Sequence, residues 1–461
     1  MAIIGAFVVP HPPVIIPEIG KGNEKDISAT TAAYQRIAKE IAGLAPDTIV
    51  IISPHATMYA DYFHISPGEE AEGDFGQFGA KGVRIHAFYD SDFVKELEKK
   101  ADEEGFSAGT MGERDVRLDH GTMVPLYFIN QEYTKYRLVR IGISGLSYQE
   151  HYILGRLIGD ISRQTGKKTV FLASGDLSHR LTESGPYGYK EEGPEYDKRV
   201  LSVLSAGNFT DLFWFDERFC NDAAECGHRS FLVMAGVLDR VRTECEVLSY
   251  EGPFGVGYGV CSFQVLGTDE SRDVLKLYEE EKSRKIEVRR KEEDAYVSLA
   301  RKSLEYYVRN GMSMKLPASL PDQMYEERAG VFVSIKKNGN LRGCIGTTCP
   351  LQLSVAEEIM ENAVSAGVKD PRFEPVTEEE LPELIYSVDV LTTPHPVSGM
   401  EELDARKYGV IVRKGSRKGL LLPDLEGVNS VWEQVAIARS KAGIGETESV
   451  ELERFEVIRH V

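Results

Sequence analysis

Two histidines each stand just after a short apolar run. Ile3–Val9 leads through Pro10 to His11, and 48–52 leads through Ser53-Pro54 to His55. Imidazole is a ligand suited to iron, zinc, copper and nickel. The flanking prolines (Pro10, Pro12, Pro13 and Pro54) stiffen the backbone and lower the cost of holding a ligand geometry. Read alone, each histidine is equally a loop residue with no shared role. Three further clusters favour a common site. One is the run 117–125, with His120 between Asp119 and Gly121. The second is the run 173–179, which carries Asp176 and ends in His179. The third is the run 221–229, which carries Glu225 and Cys226. Of ten histidines, eight precede residue 230.

Two His, one carboxylate and open positions make the facial triad of non-haem Fe(II) oxygenases. A further His nearby can move protons, because its ordinary pKa lies near neutrality. Asp176, three residues before His179, is a candidate to hold that imidazole in one tautomer or to accept a substrate hydrogen bond. The third ligand has two candidates. Glu225 favours Fe(II), whereas Cys226 makes a softer site where iron, zinc and copper compete. Both are read at the first turn of a helix. Adjacent residues there point about 100° apart, so one of the two ligates. Each also has a plain structural role, Glu225 as a first-turn acid and Cys226 as a small hydrophobe. His64, His86 and His151 read as surface or structural residues.

The elements that position these groups alternate. Strands apolar on both faces (3–9, 48–52, 136–143, 168–173) are spaced by helical patterns such as 30–44. This predicts an α/β domain, a mostly parallel sheet with helices on both faces. Ligands bind beyond the carboxyl ends of such strands, where His11 and His55 fall. The glycine-rich stretch 65–85 reads as a mobile loop. Composition shifts at residue 268. Residues 269–294 read as a charged helical linker with i, i+4 ion pairs. Residues 295–461 read as an α+β domain. Its chemical candidate is the run 341–349, where Arg342 stands two residues before Cys344. A nearby guanidinium lowers a thiol pKa, which makes Cys344 a candidate nucleophile or binding residue. The alternative is a buried strand cysteine with glycines serving turns.

The 461 residues carry a net charge of −19. Split at Thr268, the counts are 26 Lys+Arg against 38 Asp+Glu before and 28 against 35 after, so both halves are acidic. Non-specific binding to nucleic acid or anionic membrane is therefore disfavoured. No run of 18 apolar residues predicts a membrane span. The first residues lack the basic n-region of a signal peptide. Six scattered cysteines without a CxxC pair predict a reduced, cytoplasmic protein.

The order and context of the four His motifs resemble the catalytic subunit of class III extradiol ring-cleavage dioxygenases. The resemblance covers about residues 1–266. It implies Fe(II) held by His11, His55 and Glu225, His179 as acid/base, and His120 as a second-sphere group that orients substrate or oxygen. The substrates implied are a small catechol-type aromatic and O2. The run Cys226-Gly-His-Arg229 resembles equally the Memo-like relatives, in which a Cys takes the third metal position. That implies iron, zinc or copper without ring cleavage. Residues 295–461 resemble the AMMECR-type domain, through Leu341–Gly346 and its flanks Gly330–Ile335 and Asp370–Val376. That likeness implies a functional surface around Arg342–Gly346. The pair of domains resembles the two-domain component of the AmmeMemoRadiSam system. This chain has no Cys-x3-Cys-x2-Cys motif, so the resemblance implies a separate radical SAM protein as partner. Self-association stays open.

Overall fold

Apolar runs that are buried on both faces build the sheet of the first half. The computed structural model describes residues 2–425 and 427–461. The chain divides into two units, Met1–Glu280 and Glu281–Val461. The first unit opens with β1 (Ile3–Val9), α1 (Ser28–Leu44) and β2 (Thr48–Ser53). A hairpin follows, β3 (Glu70–Phe75) and β4 (Ala80–Phe88), then α2 (Ser91–Glu104), α3 (His120–Ile129) and β5 (Arg137–Gly142). Next come α4 (Tyr148–Thr165), β6 (Thr169–Ser174), α5 (Glu192–Ala206), α6 (Glu217–Ala223) and α7 (His228–Val237). The unit's last strands are β7 (Val241–Glu251) and β8 (Tyr258–Thr268).

The six-stranded sheet has the order β5-β2-β6-β1-β8-β7. Its first four strands run parallel, and the β7–β8 hairpin adds on antiparallel to β1. The sheet is thus mixed, with the parallel part carrying the site. Alternate residues of one strand serve two cores. Ala6 and Val8 of β1 pack under α2, α4, α5 and α7. Phe7 and Val9 pack under α1 and α3. Helices on both faces explain why these strands are continuous apolar runs rather than alternating ones.

Two expectations are corrected. The stretch 65–85 is largely the β3–β4 hairpin rather than a mobile loop. Ala71, Phe75, Ile85 and Ala87 are buried while Glu72 and Arg84 are exposed, a period of two that the glycines disguise. The run 221–229 does not start one helix. α6 ends at Ala223, Ala224 adopts a left-handed φ of 54°, and α7 begins only at His228. Glu225 and Cys226 therefore lie in a turn between two helices.

The charged stretch contains α8 (Val274–Glu292), within which the two units meet in sequence. The second unit is α+β. It contains α9 (Ala295–Asn310), β9 (Val331–Lys337), β10 (Asn340–Gly346), α10 (Val355–Val368), β11 (Leu384–Leu391) and β12 (His395–Val397). Then follow β13 (Gly409–Lys414), β14 (Arg417–Leu421), α11 (Val431–Lys441), β15 (Glu451–Phe455) and β16 (Val457–His460). The strands form two antiparallel sheets, β10-β9-β11-β16 and β12-β15-β13-β14. The first packs with α9 and α10, the second with α11. Among the described residues no helix is long and apolar enough to cross a membrane.

Candidate metal centre

The carboxyl ends of β1, β2 and β6 lie side by side, and the loops that leave them converge. The loop after β1 is anchored where the Tyr34 hydroxyl donates to the Pro10 carbonyl. The His11 amide donates to Asp176 Oδ1 at 2.7 Å, which ties that loop to the one after β6. The His55 amide donates to Ser53 Oγ at 3.2 Å, and Ser53 Oγ donates to Asp119 Oδ1 at 2.6 Å. Asp119 also caps α3, accepting from the Thr122 amide at 3.0 Å. The start of α3, and with it His120, is thereby fixed to the loop that carries His55.

The turn before α7 brings in the thiol. Gly175 and Gly227 cross so closely that a Cβ on Gly175 would lie 2.2 Å from the Gly227 Cα. No other residue type permits that approach. The Asp176 amide then donates to Cys226 Sγ at 3.2 Å.

The result is a set of ligand atoms within 4.8 Å of one another, from His11, His55 and Cys226. His11 Nε2 is 3.0 Å from His55 Nε2 and 3.6 Å from Cys226 Sγ. Two imidazole nitrogens facing at that distance need a proton or a cation between them. A tetrahedral metal with ordinary nitrogen and sulfur bond lengths spaces its ligand atoms by ~3.3–3.6 Å. The donor set and its spacing fit a transition metal.

Burial sets the charge states. His11 is held well below its ordinary pKa by burial and by the imidazoles of His55, His120 and His179. Burial also lowers His55 and His179. His120 falls to about 4 through burial and the neighbouring His55. Neutral imidazoles are the form that ligates. Burial pushes the Cys226 thiol up, with Asp176 and Glu225 adding to it. A bound cation reverses that, since a coordinating thiol is deprotonated.

Each expected residue has a definite place. The His120 ring centre lies 4.0 Å from that of His55 and 5.4 Å from that of His11. His179 reaches the same cluster from the loop after β6, within 4.8 Å of Asp176 and Cys226 ligand atoms. Its Nδ1 is buried without a hydrogen bond among the described residues. Asp176 differs from expectation. It holds the His11 backbone rather than the His179 ring, and burial raises it to about 7. Of the two candidates for the third ligand, Glu225 lies apart from the cluster. Its carboxylate accepts the His228 amide at 2.6 Å at the start of α7, and Cys226 supplies the donor atom beside His11 and His55. The left-handed Ala224 places the two side chains in different surroundings.

Arg342 and Cys344 lie in the second unit. The Arg342 guanidinium is paired with Glu380, donating to its two carboxylate oxygens at 3.0 and 2.9 Å. Cys344 Sγ accepts from Ser334 Oγ at 3.2 Å.

Sequence reasoning missed Ser53, Ser174 and Asp119. Ser174 Oγ lies 2.9 Å from His11 Nδ1 and donates to the Gly121 carbonyl at 2.6 Å. The available signal was position: each serine ends a strand whose loop carries a candidate ligand. Beside the cluster, His55 and His120 border a cleft of about 410 Å³. Its other walls include Phe78, Met123 and the charged Asp74 and Arg84 of the hairpin.

Residues 5–261 match the family described as the catalytic LigB subunit of aromatic ring-opening dioxygenase. Residues 297–460 match AMMECR1. A Clostridium acetobutylicum protein is 43% identical, covering 100% of this chain and 99% of its own. A Thermotoga maritima protein is 49% identical over 170 residues, which is 36% of this chain and 98% of that one. Among solved structures, a Pyrococcus horikoshii protein covers 36% of this chain and 88% of its own, at 32% identity and a TM-score of 0.34.

Proposed function

Because the chain belongs to the family of catalytic LigB subunits of aromatic ring-opening dioxygenases, with an AMMECR1 domain after it, we propose that its first unit is a metal-dependent oxidoreductase. Its metal is iron or copper, held by His11, His55 and Cys226. The observation that carries this reading is the thiol. The Cys226 thiol lies within ligand distance of both histidines, while the Asp176 carboxylate, 3.9 Å from His11 Nε2, groups with Cys226 and His179. A His2Cys set is softer than the facial triad and suits a redox metal as well as zinc.

A metal held by these residues would supply Lewis acidity and a redox couple. The chain's own residues do the rest. His11 and His55 present neutral nitrogens because burial keeps them uncharged. Asp176 holds His11 in place through its amide. The cleft admits a small molecule beside His120, whose half-buried ring forms part of the wall. His179, its pKa lowered by burial and its ring so neutral, stands beside Cys226 and Asp176 as the group assigned to take and return a proton.

A second reading is extradiol cleavage of a catechol-type ring. The placing of His120 and His179 on the cluster favours it. The two readings separate on one protein sample. Anaerobically purified full-length chain is analysed for metal, then tested for O2 uptake with a panel of catechols. The first reading expects about one iron or copper per chain. It also expects metal to be lost in Cys226→Ala and kept in Glu225→Ala. Metal lost in Glu225→Ala and kept in Cys226→Ala overturns it. Catechol-dependent O2 uptake establishes the second.

A further inference from the structure

The His11 ring has two nitrogens, and only one can face a metal. Nε2 faces His55 and Cys226. The state of Nε2 is decided by what holds Nδ1, which lies 2.9 Å from Ser174 Oγ. A serine hydroxyl has a single hydrogen. Here that hydrogen points at the Gly121 carbonyl, 2.6 Å away, and a carbonyl can only accept. Ser174 Oγ is left to accept from His11, so the ring hydrogen sits on Nδ1 and Nε2 keeps its lone pair.

The Gly121 carbonyl is available for a reason written in α3. In an α-helix that carbonyl accepts from the amide four residues on. Residue 125 is Pro125, inside the helix, and proline has no amide hydrogen. Ser174 is fully buried.

We propose that Ser174 is a positioning residue that fixes the metal-binding tautomer of His11, and that Pro125 enables it by leaving the Gly121 carbonyl unpaired in α3. The proposal rests on His11 being a metal ligand. It goes beyond that reading by naming a chain of four groups, Pro125, Gly121, Ser174 and His11, that runs from a helix to the ligand atom. Outer partners of ligating histidines typically contribute 10–100-fold to metal affinity.

The test uses the full-length chain and Co(II) alone as probe. Affinity is measured by competition with a chelator, and the ligand field by visible absorption. Ser174→Ala is expected to weaken Co(II) binding about 10–100-fold and to change the absorption bands. Ser174→Thr keeps the hydroxyl and is expected to restore both. Pro125→Ala returns an amide that competes for the Gly121 carbonyl, with an expected loss of about 2–5-fold. Ser174→Ala with wild-type affinity and bands overturns the proposal. Unchanged affinity in Pro125→Ala overturns the part assigned to the proline. A wild-type chain that binds no Co(II) sinks the metal reading and this proposal with it. Wild-type binding with an unaffected Ser174→Ala sinks the proposal alone.

Discussion

Cys226 and Cys344 stand in similar short contexts, each beside a glycine and within three residues of an arginine. Their surroundings differ in one respect. Around Cys226 the polar groups exceed the bonds they make to each other. His11 Nε2 faces another imidazole nitrogen and a sulfur, and His179 Nδ1 is buried and unpaired among the described residues. Around Cys344 the charges are matched. Arg342 pairs with Glu380, Arg372 pairs with Asp370, and the Cys344 amide donates to Asp370 at 2.9 Å. The first arrangement has valence left for an outside partner. The second resembles a lattice that fixes β10 to its neighbours. Residue type and spacing made both cysteines candidates. A buried donor without a hydrogen bond occurs at each, His179 Nδ1 and Arg342 Nη1, and what separates them is the facing of imidazole nitrogens beside the Cys226 sulfur.

The largest effect that tests this contrast is on metal-coupled proton release. A thiol that becomes a ligand must lose its proton. Adding Zn(II) at pH 7 to weakly buffered full-length chain is expected to release about one proton per chain from Cys226. Cys344→Ala is expected to release as much. Cys226→Ala is expected to lose this proton. Release that disappears with Cys344 instead would invert the comparison. The next effect concerns His179. Its alanine variant is expected to retain metal while any metal-dependent O2 uptake falls by about 100-fold or more. Uptake at the wild-type rate removes His179 from proton handling.

Much of this site is legible in the sequence, and the limits are physical. The strands leading to His11, His55 and Asp176 are readable because parallel strands buried on both faces are apolar throughout. The choice between Glu225 and Cys226 is not readable. It depends on Ala224 adopting a left-handed conformation, which nothing about an alanine announces. Ser174 is silent because its partner, the Gly121 carbonyl, is 53 residues away. Arg342 misleads for the same cause. Its partner Glu380 lies 38 residues on, and that ion pair is invisible to local spacing. Local pattern finds strands and motifs, while pairing between distant segments decides which motif is free to react.

The smallest effect expected is also the most direct comparison of the two units, because a half-buried carboxylate in one and a buried carboxylate in the other shift in opposite directions. Glu380 is held down at about 2, first by its hydrogen bonds to Arg342. Its ordinary value is 4.5, so between these values the unfolded chain binds the proton and the folded one does not. Glu380 therefore stabilises the fold above pH ~4.5, and that stabilisation is lost as pH falls toward 2. Asp197 in the first unit is raised to about 7 by burial, although the Ser178 amide and Tyr250 hydroxyl favour its charged form. Between its ordinary 3.8 and about 7 the folded chain binds the proton and the unfolded one does not. Its contribution is fully present below the ordinary carboxylate range and is lost as pH rises to 7. Thermal melting of full-length variants across pH 2.5–8 (about the usable range) reads both. Glu380→Gln is expected to melt lower than wild type by a few degrees, about 1 kcal/mol, near neutrality, with the gap closing in acid. Asp197→Asn keeps an acceptor for the Ser178 amide and carries no charge. Relative to wild type it is expected to gain most near pH 7 and least near pH 4. Parallel pH profiles in the two variants would show that the carboxylates are not opposed. The contrast between a matched lattice in one unit and unmatched burial in the other would then fail at its own titratable groups.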